Sequence, residues 1–341
     1  MTRFITPSQA KNEIFLTKEL QNQIHTSRQD VLNILQGKDK RLLLIVGPCS
    51  IHNYDATLEY ARRLSHLADT VKDTFLIVMR AYLEKPRSQY DWKGFIYDPH
   101  LNGSYNIETG IELSRKLLLE LTNLKLPLAT EFLDPLIAPY IQDFISWGSI
   151  GARTAESPLH RQLAATLNMP VGFKNRTDGN IDIAISGCLT AMQEHRYIGM
   201  DQNGQIALKH ASGNPFAHLV LRGGSSGPNY EAVSIQQAIQ KLQKVNLPPS
   251  IIVDCSHDNS KKNHRQQSAI FRSLITQITH SSSPIRGIML ESFLLEANQP
   301  VKSSQAILPD VSITDPCLDW ESTKQLIEHE ALRLTECISY V

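Results

Sequence analysis

Eight short apolar runs separated by helical patterns constrain the fold of this chain more than any other feature. Nearly continuous apolar runs of this length are typical of strands buried on both faces of a parallel sheet. The runs span residues 41–46, 75–80, 127–132, 149–153, 170–174, 218–222, 250–256 and 286–292. Apolar residues at helical spacing predict helices over 106–124, 134–147, 156–168, 179–193 and 229–245.

Strands that alternate with helices in this way predict an α/β fold, a (β/α)8 barrel, with an open doubly wound sheet as the alternative. Residues 1–40 are expected to form an N-terminal extension, and residues 41–341 the barrel. Asn203-Gly204 lies between two apolar runs and predicts a β-hairpin over about 196–209. This hairpin would be inserted between the fifth and sixth barrel strands.

Composition narrows the class of protein. The chain has 34 basic and 34 acidic side chains, a balance that argues against nucleic acid or an anionic membrane as the main partner. It has no run of about 18 apolar residues, and the segment MTRFITPSQAKNE lacks an apolar signal core, so a cytoplasmic location is expected. The five scattered cysteines are typical of reduced thiols rather than of a disulfide framework.

Polar and ionisable residues follow every predicted strand. A barrel places its chemistry at the carboxyl ends of its strands, so these side chains should share one rim. In chain order they are Cys49, Arg80, Glu131, Arg153, Lys174, Arg222, His257 and Glu291. Solvent exposure of the strand ends would explain why these residues are charged. It would not explain why four cations and four possible metal ligands or bases share one rim.

The cations of this rim predict an anionic ligand. With Lys85 and Arg87 just after the second strand, the rim carries six positive charges in a neutral protein. Such a cluster is repulsive unless an anion fills it, and arginine binds phosphate and carboxylate in bidentate fashion. We expect a small substrate with several anionic groups. The alternative is that several of these cations form structural salt bridges with Glu131, Glu156 or Asp178.

Three rim residues can also converge on a metal ion, because the first and eighth strands of a closed barrel are neighbours. Cys49, His257 and Glu291 follow the first, seventh and eighth strands, and Asp315 in the next loop could complete the set. A thiolate, an imidazole and two carboxylates suit Mn²⁺, Fe²⁺, Co²⁺ or Zn²⁺ better than Ca²⁺ or Mg²⁺. A structural role for the cysteine in its Gly-Pro-Cys turn is the alternative.

A glycine pair follows the sixth predicted strand in the sequence LRGGSSGPNY. Gly223-Gly224 could bring backbone N–H groups close to an anion, although such a pair alone indicates only a loop.

Nine motifs in a fixed order identify a family resemblance. They are GPCSIH (47–52), MRAYLEKPR (79–87), DPHLNGSYNIETG (98–110), GARTAES (151–157), GFKN (172–175), LRGG (221–224), DCSHDNS (254–260), MLES (289–292) and SITDPC (312–317). From about residue 6 to residue 336 the chain resembles type I, metal-dependent 3-deoxy-D-arabino-heptulosonate-7-phosphate (DAHP) synthases of the α group. That family condenses phosphoenolpyruvate with erythrose 4-phosphate, the first step of the shikimate pathway.

The resemblance implies roles for individual residues. The implied metal ligands are Cys49, His257, Glu291 and Asp315. The implied phosphoenolpyruvate pocket is Arg80, Lys85, Arg153, Lys174 and Arg222, with Glu131 nearby. The implied aldose phosphate loop is Lys85, Pro86, Arg87 and Ser88. Lys85 would protonate the aldose oxygen, and Glu131 or His257 would position water.

The resemblance also implies regulation and assembly. Family members form dimers or tetramers and are often inhibited by an aromatic amino acid, at a site that the N-terminal extension and the 196–209 hairpin would help to build. The chain departs from the family pattern at Gln89, Asp91 and Arg176, and in the longer loop 225–227. These changes bear on aldose preference and rate.

Three alternatives remain at this stage. Another phosphoenolpyruvate-dependent synthase, such as a 3-deoxy-octulosonate 8-phosphate synthase, would lack the KPR loop and SITDPC. A catalytically silent regulatory paralogue would have no reason to retain every ligand and cation. A class II metal aldolase would need no second anion pocket.

Overall fold

Eight parallel strands close into a barrel in the computed structural model, which describes residues 4–86, 91–280, 283–301 and 306–338. The barrel strands are β1 (Leu42–Gly47), β2 (Phe75–Arg80), β3 (Leu128–Glu131), β4 (Trp147–Ile150), β5 (Val171–Lys174), β8 (Ala217–Leu221), β9 (Ile251–Asp254) and β10 (Ile285–Glu291). Neighbours pair in the order β1-β10-β9-β8-β5-β4-β3-β2. The predicted (β/α)8 barrel is confirmed, and the open-sheet alternative is wrong.

Helices surround this barrel and precede it. They are α1 (Pro7–Glu13), α2 (Lys18–Leu35), α3 (Tyr54–Thr70), α4 (Ile107–Asn123), α5 (Ala138–Ile141), α6 (Pro158–Thr166), α7 (Asp182–Ala191), α8 (Ala232–Lys244), α9 (Gln266–His280) and α10 (Trp320–Ile338). Within the described ranges, none of them has the length and apolar character needed to cross a membrane.

The helix predicted over 134–147 is wrong, since only the single turn α5 forms there. Pro139 explains the difference. Proline has no N–H and crowds the carbonyl four residues earlier, so a continuous helix from Asp134 could not run through it. Instead Asp134 caps a turn by accepting from the N–H of Leu136 at 2.8 Å, and Pro139 lies in the first turn of α5.

Two strand ends differ from the sequence expectation by more than one residue. β4 ends at Ile150 rather than at residue 153, so Arg153 lies in the following loop. β9 ends at Asp254 rather than at residue 256, which places His257 in the loop after it. Both side chains still belong to the carboxyl end of the barrel, because each loop leaves its strand on that side.

Helix α2 fills the amino end of the barrel. Val31, Ile34 and Leu35 of this helix form one buried cluster with inward side chains of the strands, among them Leu43 and Ile45. The alternate strand residues face outward and pack against the surrounding helices. The opposite, carboxyl end of the barrel is therefore the end available for a ligand.

The predicted hairpin is present as β6 (His195–Met200) and β7 (Ile206–Ala211), an antiparallel pair between β5 and β8. The N-terminal segment contacts its turn: the Ser8 N–H donates to the carbonyl of Gln202 at 2.9 Å, and Lys11 Nζ donates to Gln202 Oε1 at 2.9 Å. Two elements that the sequence places far apart are thus joined.

A fully buried arginine fixes the N-terminal segment to the barrel helices. Arg115 of α4 donates from Nε to the carbonyl of Ala10 at 3.1 Å and from Nη2 to that of Ile14 at 2.7 Å. Its guanidinium also binds the carbonyl of Tyr140 and both carboxylate oxygens of Asp143. One side chain therefore connects the extension, α4 and α5.

We predict that Arg115→Ala lowers the free energy of unfolding by about 3 kcal/mol, because it leaves the Asp143 carboxylate and three carbonyls without their donor. Lys116→Ala is the matched control, since Lys116 on the same helix makes a half-exposed pair with Glu112. That change should cost less than about 0.5 kcal/mol. Urea unfolding followed by circular dichroism measures both, and equal small losses would contradict the anchoring role.

Candidate active site

Strand register places the residues that follow β1 beside the end of β10. Gly47, the last residue of β1, pairs with Glu291, the last residue of β10. Gly47 has φ +149°, and a Cβ built there would lie 3.1 Å from the backbone nitrogen of Arg80, so no larger residue fits without strain. Cys49 follows in the tight turn. The ends of three neighbouring strands thus meet.

Three of the four expected metal ligands form one group. The Cys49 sulfur and one carboxylate oxygen each from Glu291 and Asp315 lie within 4.8 Å of one another. The fourth, His257, lies just outside that group, with Nε2 3.9 Å from Glu291 Oε1. A thiol, two carboxylates and an adjacent imidazole suit a borderline divalent ion. A purely structural role for Cys49 would not explain why two carboxylates and an imidazole lie close to its sulfur.

The orientation of His257 is set by its neighbours. Its backbone has φ 56°, a strained value for a residue other than glycine and one that often marks a functional site. Its Nδ1 contacts Asp254 Oδ2 at 2.9 Å and the Ser256 hydroxyl at 2.7 Å. A carboxylate on Nδ1 leaves Nε2 available as a ligand or base on the side of Glu291.

Asp254, at the end of β9, is a buried acid that the sequence analysis missed. Its Oδ2 also accepts from Lys174 Nζ at 3.1 Å. Burial alone would raise the pKa of Asp254, but His257 and Lys174 together hold it well below its usual range. Because the carboxylate stays ionised, it can hold both Lys174 and His257 in place. Its only sequence signal was its place in the motif DCSHDNS.

Arg80, fully buried at the end of β2, is only partly satisfied. Its Nη2 donates to Glu291 Oε1 at 3.0 Å, its Nε donates to the carbonyl of Pro48 at 3.2 Å, and its guanidinium lies 3.9 Å above the Tyr82 ring. Within the described chain Nη1 has no hydrogen-bond partner. A buried donor of this kind is expected to have a partner when the site is filled, and an anionic oxygen is the strongest one.

A cavity of about 530 Å³ opens at this end of the barrel. Its cationic lining residues are Arg80, Lys85, Arg153, Lys174, Arg222 and Lys262. Its acidic lining residues are Glu131, Asp178, Asp258 and Asp315. Arg153 and Lys262 form no ion pair with any described residue. The cavity can therefore accept more negative charge than its own acids supply.

The alternative that these cations pair with Glu131, Glu156 or Asp178 is wrong for the described ones. Lys174 of β5 pairs with Asp254 at the end of β9, two strands away, and Arg222 pairs with Asp258 in the loop after the neighbouring strand β9. Glu156 and Asp178 instead pair with Arg176, at 2.9 and 3.2 Å. The Glu131 carboxylate lies directly against Gly151, where a side chain would collide with it.

Lys85 connects the cation cluster to the metal-ligand group. Its Nζ donates to the Cys49 sulfur at 2.9 Å. Burial would lower the pKa of Lys85, but its contact with the Cys49 sulfur and the negative charges of Glu291 and Asp315 raise it above its usual value. Burial raises the pKa of the Cys49 thiol to about 12, with a further contribution from Glu291. Pro86 also lines the cavity, whereas Arg87 and Ser88 lie outside the described residues.

The glycine pair does not offer its N–H groups to a ligand. The N–H of Gly223 donates to the Asn229 side chain at 2.8 Å, and that of Gly224 donates within its own loop. The pair therefore indicates only a loop, as the sequence alone allowed, because the loop uses these donors itself. Arg222, which precedes the pair, donates its own N–H to Asn175 Oδ1 at 2.8 Å.

Tyr82, Asp258 and Lys262 line the cavity and, like the buried Asp254 that holds Lys174, were absent from the sequence expectations. Tyr82 could have been found from its place in MRAYLEKPR. Lys262 carried no signal, since its position depends on a loop in which Lys261 and Lys262 both adopt positive φ.

Comparison with known proteins agrees with this geometry. The sequence model of the DAHP synthetase I family matches residues 13–328. The chain belongs to this family. It is 46% identical over 324 residues to the Tyr-sensitive phospho-2-dehydro-3-deoxyheptonate aldolase of Escherichia coli, covering 95% of this chain and 91% of that protein. The Trp-sensitive enzyme of the same organism is 47% identical, with 95% and 93% covered.

A solved structure from the family has the same fold. The phospho-2-dehydro-3-deoxyheptonate aldolase of Francisella tularensis superposes with a TM-score of 0.95 at 39% identity, and the match covers 98% of each chain. Similarity at this level extends over the extension, the hairpin and the barrel together.

We predict that Cys49→Ala weakens binding of Co²⁺ or Mn²⁺ by about 100-fold or more, because loss of contacts outside the ligand set already costs about 10–100-fold. Cys188→Ala is the control, since Cys188 is an equally buried free cysteine outside the group. Calorimetric titration of chelator-treated protein measures the affinity, and circular dichroism shows that both variants fold. Equal affinities in the two variants would exclude Cys49 as a ligand.

Proposed function

We propose that this chain condenses phosphoenolpyruvate with D-erythrose 4-phosphate and water to give DAHP and phosphate, as a 3-deoxy-7-phosphoheptulonate synthase of the shikimate pathway. One observation carries the proposal: Arg80 presents an unpartnered, buried guanidinium nitrogen in a cavity lined by five further cations, beside a group of metal-ligating side chains. A doubly anionic enol phosphate and an aldehyde are the reactants that this combination suits.

The phosphoenolpyruvate pocket is proposed to be formed by Arg80, Arg153, Lys174 and Arg222, with Lys85 at its edge. The phosphate and the carboxylate of the substrate supply negative charge that balances these cations. Fixing both groups orients C3 of the enol phosphate towards the aldehyde. The two reactants are then held in the geometry that the reaction needs, which lowers the entropic part of the barrier. Buried acids already hold two of these cations, so little rearrangement is needed on binding.

A divalent metal ion, Mn²⁺, Fe²⁺, Co²⁺ or Zn²⁺, is proposed to be held by Cys49, His257, Glu291 and Asp315. When bound, such an ion would act as a Lewis acid on the aldehyde oxygen. The donor set supports this, since it combines soft and hard ligands in one small volume.

The remaining chemistry is assigned to side chains of the cavity. A carbon–carbon bond forms between C3 of phosphoenolpyruvate and C1 of the aldose, and Lys85 donates a proton to the former aldehyde oxygen. Water adds at C2, where Glu131 or His257 positions it, and the Glu131 carboxylate takes its proton. Phosphate then departs as the C2–O bond breaks, and Arg222 and its neighbours hold the leaving group.

The aldose phosphate is proposed to bind at Lys85, Pro86, Arg87 and Ser88, of which the last two remain predictions from sequence. At the departure from the family pattern at Arg176, the guanidinium pairs with Glu156 and Asp178.

Inhibition by an aromatic amino acid is proposed to act through the hairpin and the N-terminal extension, in a cytoplasmic homo-dimer or homo-tetramer. Contact of Ser8 and Lys11 with Gln202 supports a joint site. The names of the Escherichia coli relatives specify sensitivity to tyrosine and to tryptophan.

The proposal predicts that metal-reconstituted protein consumes phosphoenolpyruvate with erythrose 4-phosphate and releases phosphate. The assay compares erythrose 4-phosphate with arabinose 5-phosphate, each with and without Phe, Tyr and Trp, and uses chelated protein as the blank. Preference for arabinose 5-phosphate would indicate the octulosonate synthase alternative. Absence of turnover with every aldose would favour the silent paralogue, and an unchanged rate with all three amino acids would exclude the proposed inhibition.

Separate anion pockets predict separate kinetic effects. Arg222→Ala should raise KM for phosphoenolpyruvate by about 10-fold or more, because a charge-assisted hydrogen bond contributes about 1.5–3 kcal/mol. Arg87→Ala should instead raise KM for the aldose phosphate. Steady-state kinetics with each substrate varied in turn measures both, and equal increases in both constants for both variants would contradict the assignment of two pockets.

A further inference from the structure

Arg222 carries a carboxylate partner inside the cavity where a substrate anion is expected. Asp258 Oδ2 contacts Arg222 Nη1, and both residues line the cavity. The Arg222 side chain is 7% exposed and that of Asp258 is 24% exposed. Among the described residues, Arg222 Nε and Nη2 have no hydrogen-bond partner, so the guanidinium can contact a second anion while it keeps the first.

Asp258 differs from the other acids that pair with cavity cations. Asp254 and Glu291 are fully buried, and each contacts other groups as well: Asp254 contacts His257, and Glu291 belongs to the metal-ligand group. The Asp258 carboxylate has Arg222 as its only side-chain partner in the described chain, and it is partly open to the cavity. Within the described chain, the carboxylate therefore holds no side chain other than Arg222.

We propose that Asp258 is an internal counter-ion of Arg222 that lowers the affinity of the cavity for a phosphoryl group. The inference rests on the proposed function, in which Arg222 holds the phosphate of phosphoenolpyruvate and, after C–O cleavage, the free phosphate. Two anions on one guanidinium repel each other, and the repulsion is strong where water is partly excluded. Asp258 thereby lowers retention of the phosphate product as well as affinity for the substrate.

A positioning role for Asp258 would have the opposite consequence. If the carboxylate served to hold Arg222 in its binding geometry, its loss would weaken phosphate binding. Asp258→Asn separates the two roles, because the amide oxygen can still accept from Arg222 Nη1 while the negative charge is gone. The sign of the change in affinity therefore decides between them.

Asp178→Asn is the matched control for long-range electrostatics. Asp178 also lines the cavity, but its carboxylate pairs with Arg176 at 3.2 Å and not with Arg222. The substitution removes the same charge from the same cavity without touching the proposed pair. If the loss of one negative charge acted only by raising the positive potential of the whole cavity, both variants would bind the anions more tightly.

The experiment titrates phosphoenolpyruvate and, separately, inorganic phosphate into metal-loaded wild type, Asp258→Asn and Asp178→Asn by calorimetry. We expect Asp258→Asn to bind both ligands about 10-fold more tightly, a change of about 1.4 kcal/mol. Asp178→Asn should change either affinity by less than about two-fold. In steady-state assays Asp258→Asn should show a lower KM for phosphoenolpyruvate and stronger inhibition by phosphate. Metal content, measured in parallel, should be equal in all three proteins.

Several outcomes would overturn the inference. Weaker or unchanged phosphate binding in Asp258→Asn, equal tightening in both variants, or no phosphate binding to any of the three proteins would each exclude a specific counter-ion. Failure of the proposed function gives a different result. In that case wild type would not bind phosphoenolpyruvate, whereas the difference between the variants for inorganic phosphate would persist.

Discussion

Pairing of the first barrel strand with the last is the constraint on which the rest of the structure depends. It aligns Gly47 with Glu291 and so brings Cys49 to Asp315, residues 266 positions apart in sequence. The closed barrel is stable because both faces of its parallel sheet are covered, so that every strand buries apolar side chains inward and outward. An open sheet with the same strands would leave the metal-ligand group divided between its two edges.

The cavity also requires charge compensation, because it concentrates cations that water no longer fully solvates. Buried acids provide it from two strands away around the barrel: Glu291 of β10 contacts Arg80 of β2, and Asp254 of β9 contacts Lys174 of β5. A buried pair of this kind is not in itself a large source of stability, since desolvation offsets much of its attraction. Its effect is to hold each cation in place before an anion arrives, which suits a site that acts by electrostatic positioning.

Sequence patterns specified the barrel but not the partners of its polar side chains. Apolar runs and the Asn203-Gly204 turn were sufficient for the strands and the hairpin, because burial on two faces and turn chemistry are local properties. Apolar spacing over 134–147 predicts a helix, but Pro139 within that segment limits it to the single turn α5. Asp258 could not be assigned to Arg222, since the contact depends on the path of the loop after β9.

The N-terminal extension belongs to the same packed unit as the residues that carry the proposed chemistry. Val31 and Ile34 of α2 share a buried cluster with Trp147 and Val220 on the inner face of the barrel. These inward side chains form the layer beneath the charged residues at the carboxyl end, because side chains of successive inward positions stack along the barrel axis. Since Arg115 fixes the segment that precedes α2, the extension is anchored both at this segment and at α2, beneath the cavity.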